Sequence, residues 1–184
     1  MRSEKQQKKS NSHLTSHLRV LAVAAFLAAL SIVCGKYLAI PIGTVLRFSF
    51  ENLPILLSGM MFGPAVGVLT GVTADLVGCI LVGYNINPII TVGAACIGLL
   101  GAVIYRLTSR LALWARVLLS VTVAHLVGSV LIKTWGLAAF YSMPFYALLL
   151  WRLLNYVIVA GAEGLLLYYL LKKKTVRTRL QNLR

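Results

Sequence analysis

Acidic residues are nearly missing from this chain. Its 184 residues include only Glu4, Glu51, Asp75 and Glu163 against 18 Lys and Arg, and charged residues of both signs make up 12% of the whole. A soluble domain carries about 25%. Apolar residues make up 59%, which excludes a disordered chain as well, because disorder needs low hydrophobicity. Cysteine is also scarce. Cys34, Cys79 and Cys96 stand apart inside apolar runs with no CxxC pair, so a disulfide framework and a zinc site are excluded and small apolar fillers remain. There is no HExxH, no GxSxG, no GxxxxGK[ST] loop and no pair of intramembrane carboxylates at helical spacing. The signatures of a metallohydrolase, a serine hydrolase and an ATPase are therefore absent. No catalytic residue, cofactor or metal site is predicted. His13 and His17 have i,i+4 spacing but no further ligand nearby.

What is present is an integral membrane pattern. Spanning the hydrocarbon takes about 20 apolar residues, and six stretches qualify or come close: 19–40, 52–62, 64–83, 88–105, 116–133 and 144–171. Punctuation supports these limits. Asn52 with Pro54, Gly63 with Pro64, Asn87 with Pro88 and Ser142 with Pro144 each place a turn or capping residue before a proline near a helix start. The stretch 52–62 is too short to span alone. The first stretch follows a basic segment, but its long run rich in alanine reads as a retained helix rather than a cleaved signal. The fold expected is all-α, a six-helix membrane bundle over 19–171, with basic cytoplasmic tails at 1–18 and 172–184 and no soluble domain.

Lys and Arg orient the bundle. Arg2, Lys5, Lys8, Lys9 and Arg19 precede the first helix, Lys172, Lys173, Lys174, Arg177, Arg179 and Arg184 follow the last, and Arg106, Arg110 and Arg116 surround the fourth connection. Six spans put all of these on the cytoplasmic side, with both termini inside. Charge gathered at the ends of an apolar body marks contact with the lipid bilayer, not nucleic acid.

Lys36, Arg47, Lys133 and Arg152 break that rule and fall at or near the outer face, with Glu51 as the one outer acid. Lys36 and Lys133 stand at helix ends, where long cations snorkel. Arg152 is about two turns inside the last helix with Asn155 beside it on one face, and an intramembrane ion marks function by default. Phe50, Tyr84 and Trp135 belong to a set of rings denser on this face than on the other. Rings there form an interfacial belt or line a site. Cations beside rings suit a ligand that joins a flat heterocycle to carboxylates. Asp75, midway along the third helix, either pairs with Arg152 or Lys36 or accepts from a ligand's N–H groups. Asn85 and Asn87 offer further polar edges. His125 and Glu163 read as packing residues. Small residues one turn apart, Ala24 with Ala28 and Ala25 with Ala29 in the first helix and Gly63, Gly67 and Gly71 in the third, allow close helix approach, inside the bundle or against another membrane protein.

The ordered set AFLAA (25–29), LRFSFENLP (46–54), FGP (62–64), ADLVG (74–78) and YNINPIIT (84–91) resembles the substrate-binding (S) subunits of energy-coupling factor (ECF) transporters, most closely the folate-specific type. That resemblance spans nearly all of 18–171. It implies a vitamin-capturing bundle that opens outward and docks on a transmembrane coupling subunit driven by two cytoplasmic ATPases. It also implies loops near 40–51 and 83–88 that close over the vitamin, and a docking role for Ala25 and Ala29. Lys36, Arg47, Phe50, Asp75, Tyr84, Asn85, Asn87, Lys133, Trp135, Arg152 and Asn155 form the expected ligand set. Another vitamin or precursor (a flavin, pantothenate or thiamine) and a stand-alone secondary transporter are the alternatives.

Overall fold

A computed structural model describes residues 2–42, 46–142 and 144–173, with side chains over 17–40, 48–140, 142 and 144–173. The first helix, α1, covers Arg2–Ile32 and runs on as a π-helical segment, Val33–Tyr37. A short antiparallel hairpin follows, β1 (Ile40–Ile42) with β2 (Leu46–Phe48), in which Pro41 faces Arg47. Then come α2 (Asn52–Phe62), α3 (Pro64–Val82), α4 (Pro88–Leu107) and α5 (Leu113–Ala124). A second π segment, His125–Ile132, joins α5 to α6 (Lys133–Tyr141) as one continuous rod, and α7 covers Phe145–Lys172.

The expected helical bundle is present, with a small hairpin added to it. Five rods are long and apolar enough to cross a membrane: 17–37, 64–82, 88–107, 113–140 and 145–172. With 11 residues at 1.5 Å each, α2 is about 16 Å long and covers only part of that thickness. The fourth of these rods, 113–140, departs from expectation. The stretch 116–133 was expected to close at Lys133, yet the helix continues to Tyr141. Lys133 is buried and ion-paired, so its charge does not need the end of a helix to reach water.

Local chemistry sets the helix ends. Pro64 opens α3 behind Gly63, whose φ of 110° suits glycine alone, and Gly83 closes α3 at φ 72°. Asn87 caps α4 by accepting from the Ile89 N–H at 3.0 Å. α3 and α4 lie backbone to backbone: a Cβ on Gly98 would sit 2.2 Å from the Gly67 carbonyl oxygen, and one on Gly71 2.5 Å from that of Ala94. The glycines of α3 thus serve packing within the bundle. In α1, Ala24 and Ala28 are buried while Ala25 and Ala29 are exposed. The core gathers Ile55, Leu56, Ile97, Val117, Val121 and Leu167 between α2, α4, α5 and α7.

Alternating rods bring the end of α1, the hairpin, the starts of α2, α4 and α7, and the end of α3 to one end of the bundle. The other end holds the α2–α3 turn, where Arg106 lies over Gly63, and the α4–α5 turn, where the Arg116 guanidinium stacks 3.6 Å from the Tyr105 ring centre and donates to the Tyr105 carbonyl.

Candidate ligand site

A half-open cavity of about 160 Å³ lies at the hairpin end, lined by Lys36, Ser49, Glu51, Asp75, Cys79, Tyr84, Asn85, Ile90, Lys133, Leu137, Arg152, Asn155 and Tyr156. Both π segments contain or adjoin its lining residues in the chain. One carries Lys36, and the other ends one residue before Lys133. A π turn re-aims the side chains that follow it, which is why such turns recur at functional sites.

Seven of the expected ligand residues line this cavity: Lys36, Asp75, Tyr84, Asn85, Lys133, Arg152 and Asn155. Four do not. Asn87 is buried and its amide is committed to structure, donating to the Gly136 carbonyl at 2.9 Å while capping α4. Trp135 on α6 and Phe50 just after β2 are exposed, Trp135 at 60%, and neither lines the cavity. Arg47 lies on β2 opposite Pro41, and its side chain is outside the described residues. Glu51, Ser49 and Tyr156 were missed. Tyr156 had a readable signal, standing one turn from Arg152 on the same face of α7.

The charges are not equivalent. Lys133 Nζ donates to Glu51 Oε1 at 2.8 Å. Asp75 Oδ2 accepts from the Thr91 hydroxyl at 2.7 Å, so neither a salt bridge to Arg152 nor one to Lys36 forms among the described residues. Lys36 lies 5.3 Å from the Tyr84 ring centre and 4.0 Å from Cys79 Sγ. Arg152 is 7% exposed, donates to the Tyr156 hydroxyl at 3.4 Å, and leaves its Nε buried with no partner among the described residues. Two cations with no carboxylate at ion-pair distance among the described residues therefore face one small cavity, with aromatic surface beside each. Burial pushes the Glu51 carboxyl up, but Lys133, Lys36 and Arg152 together outweigh it and hold it at about 2.

Behind the cavity, His125 and Glu163 form a fully buried pair, Nε2 to Oε2 at 2.6 Å, with the His125 ring 5.2 Å from that of Tyr156. The packing role expected for both agrees with this burial.

A multi-pass helical bundle with a polar, cation-rich pocket at one end defines a membrane protein that holds a small solute. Residues 19–173 match the ECF transporter, substrate-specific component family, and the chain belongs to that family. It is similar to the folate transporter FolT of Clostridium novyi (strain NT), 34% identical over 64 residues that cover 35% of this chain and 37% of that protein. The match thus spans about a third of that relative's length. A crystal structure of FolT bound with folic acid is similar at a TM-score of 0.68 and 27% identity, over 82% of this chain and 90% of that one. The S-component for biotin from an ECF-type ABC transporter shares the fold, with a TM-score of 0.62 at 20% identity over 85% of this chain and 93% of the other.

Proposed function

We propose that this chain is the folate-binding S subunit of an ECF-type uptake transporter. The observation that carries this reading is the pairing of two carboxylate-free cations, Lys36 and Arg152, with Tyr84 and Tyr156 in one cavity. Folate joins a flat pterin and an aromatic linker to a glutamate with two carboxylates. The rings suit the tyrosines, the two cations suit the carboxylates, and Asp75 and Asn85 offer polar edges to the pterin. The likeness to FolT bound with folic acid, over most of both chains, supports the same ligand.

The hairpin end faces outward and both termini face the cytoplasm, because the opposite end carries Arg19, Arg106, Arg110, Arg116, Lys172 and Lys173. The chain has no chemistry of its own. It captures the vitamin outside and delivers it inward with a transmembrane coupling subunit and two cytoplasmic ATPases. Ala25 and Ala29, exposed on α1, form the small-residue stripe that docks on the coupling subunit. Purified protein is expected to bind folic acid one-to-one in calorimetry; no heat of binding overturns the reading. Uptake by the chain alone in liposomes, driven by an ion gradient, would instead make it a secondary transporter.

A further inference from the structure

Glu51 occupies an unusual position for a carboxylate. It sits at the start of α2, on the cavity wall, with Lys133 at 2.8 Å and with Lys36 and Arg152 lining the same cavity. Its backbone carbonyl accepts from the Ser31 hydroxyl at 2.5 Å. Its side chain lies against Gly35 in the first π segment, where a Cβ would come 2.7 Å from Oε2. The partner is equally cleared: a Cβ on Gly93 would sit 2.6 Å from Lys133 Cγ. Two glycines therefore make room for one ion pair between Glu51 and Lys133, which lie 82 residues apart in the chain. The pair borders the cavity: both residues line it, with the Glu51 side chain 27% accessible and that of Lys133 6%.

We infer that Glu51 fills, with the chain's own carboxylate, a subsite that a ligand carboxylate takes on binding. The Glu51 carboxylate keeps Lys133 charged and buried by serving as an internal anion, which avoids the large cost of an unpaired buried charge. An incoming carboxylate exchanges for it, so each binding event opposes an ion pair that reforms on release. Glu51 thereby weakens binding of anionic ligands and favours their departure. Because the carboxyl is held at about 2, protonation does not release it at physiological pH, and exchange with another anion is the available route.

Two measurements on the full-length protein in detergent test this. The first needs no vitamin. In Glu51→Ala the vacated subsite should take free acetate. Acetate, but not chloride at equal ionic strength, should raise the melting temperature of E51A toward that of the wild type, leave the wild type unmoved, and have no effect on E51A combined with Lys133→Met. Equal response to both salts, or the same acetate response in the wild type, overturns the subsite. The second measurement rests on the folate reading and uses Glu51→Gln, which preserves shape should E51A fail to fold. E51Q should bind folic acid about tenfold more tightly than the wild type, mainly through slower dissociation. Weaker or unchanged binding by E51Q overturns the competition. Failure of wild-type protein to bind folic acid counts against the folate reading alone, and the acetate measurement then decides the inference by itself.

Discussion

Arg152 carries most of the proposed reading of the cavity as an anion site. It is buried, its Nε has no hydrogen-bond partner among the described residues, and it shares the lining with Lys36. A charge-assisted hydrogen bond is worth about 1.5–3 kcal/mol, so Arg152→Ala should weaken folic acid binding by about that amount in calorimetry, with a smaller loss for a pterin that lacks the glutamate. An equal loss for both ligands would place Arg152 outside the carboxylate subsite. Arg152 and Asp75 were legible in sequence because a lone charge inside an apolar run stands out. The Glu51–Lys133 pair was not, since nothing local joins residues so distant in the chain. Asn87 misleads for the opposite reason: an Asn before Pro reads equally well as a cap and as a ligand contact, and only the Gly136 carbonyl separates the two. Glu51 also carries a pH signature. Its folded carboxyl titrates at about 2 against an ordinary value of 4.5, so the pair stabilises the fold fully above about pH 4.5 and is lost as pH falls through about 2. Melting temperature should therefore owe nothing to Glu51 titration between pH 7 and pH 5, as a comparison of wild type with E51Q will check.

Helix contacts impose sharper limits than single side chains. The α3–α4 interface has no room for a methyl group, because the neighbour at Gly98 is the Gly67 backbone and not a flexible tip. Gly98→Ala should lower the melting temperature in detergent more than Gly161→Ala, which meets nothing within 4 Å. The second π segment is tied to α7 by the His125–Glu163 pair. Removing one partner of a buried pair costs about 3–5 kcal/mol, while replacing both with apolar groups costs far less. His125→Leu alone should therefore destabilise strongly, and adding Glu163→Leu should recover most of the loss; an additive double variant would show that the pair is not coupled. Helix starts were readable from Asn, Gly and Pro. The π segments were not, because a π turn arises where packing forces one extra residue into a turn, and composition carries no mark of it. For the same reason the rod through Lys133 looked finished where its charge stood.

Across the molecule, charge divides the two ends by task. The end bearing Arg106, Arg110 and Arg116 has its cations exposed or stacked at the surface, as with Arg116 on Tyr105, and they act as anchors. The hairpin end instead draws Lys133 and Arg152 into the interior beside Glu51 and Asp75 in the cavity lining. On the proposed orientation, excess positive charge is two separate devices, and counting the spans in the sequence draws the same division. Binding and delivery should separate along the same division. Ala25 and Ala29 lie exposed on α1, whereas Ala24 and Ala28 pack inward, so bulk can be added to the outer stripe without touching the core. Ala25→Leu with Ala29→Leu should leave folic acid affinity within error of the wild type in calorimetry. The same variant should abolish both co-purification with the coupling subunit and ATP-dependent uptake in liposomes. Lost binding in that variant would show that the stripe supports the bundle itself, and retained uptake would place the docking surface on another helix.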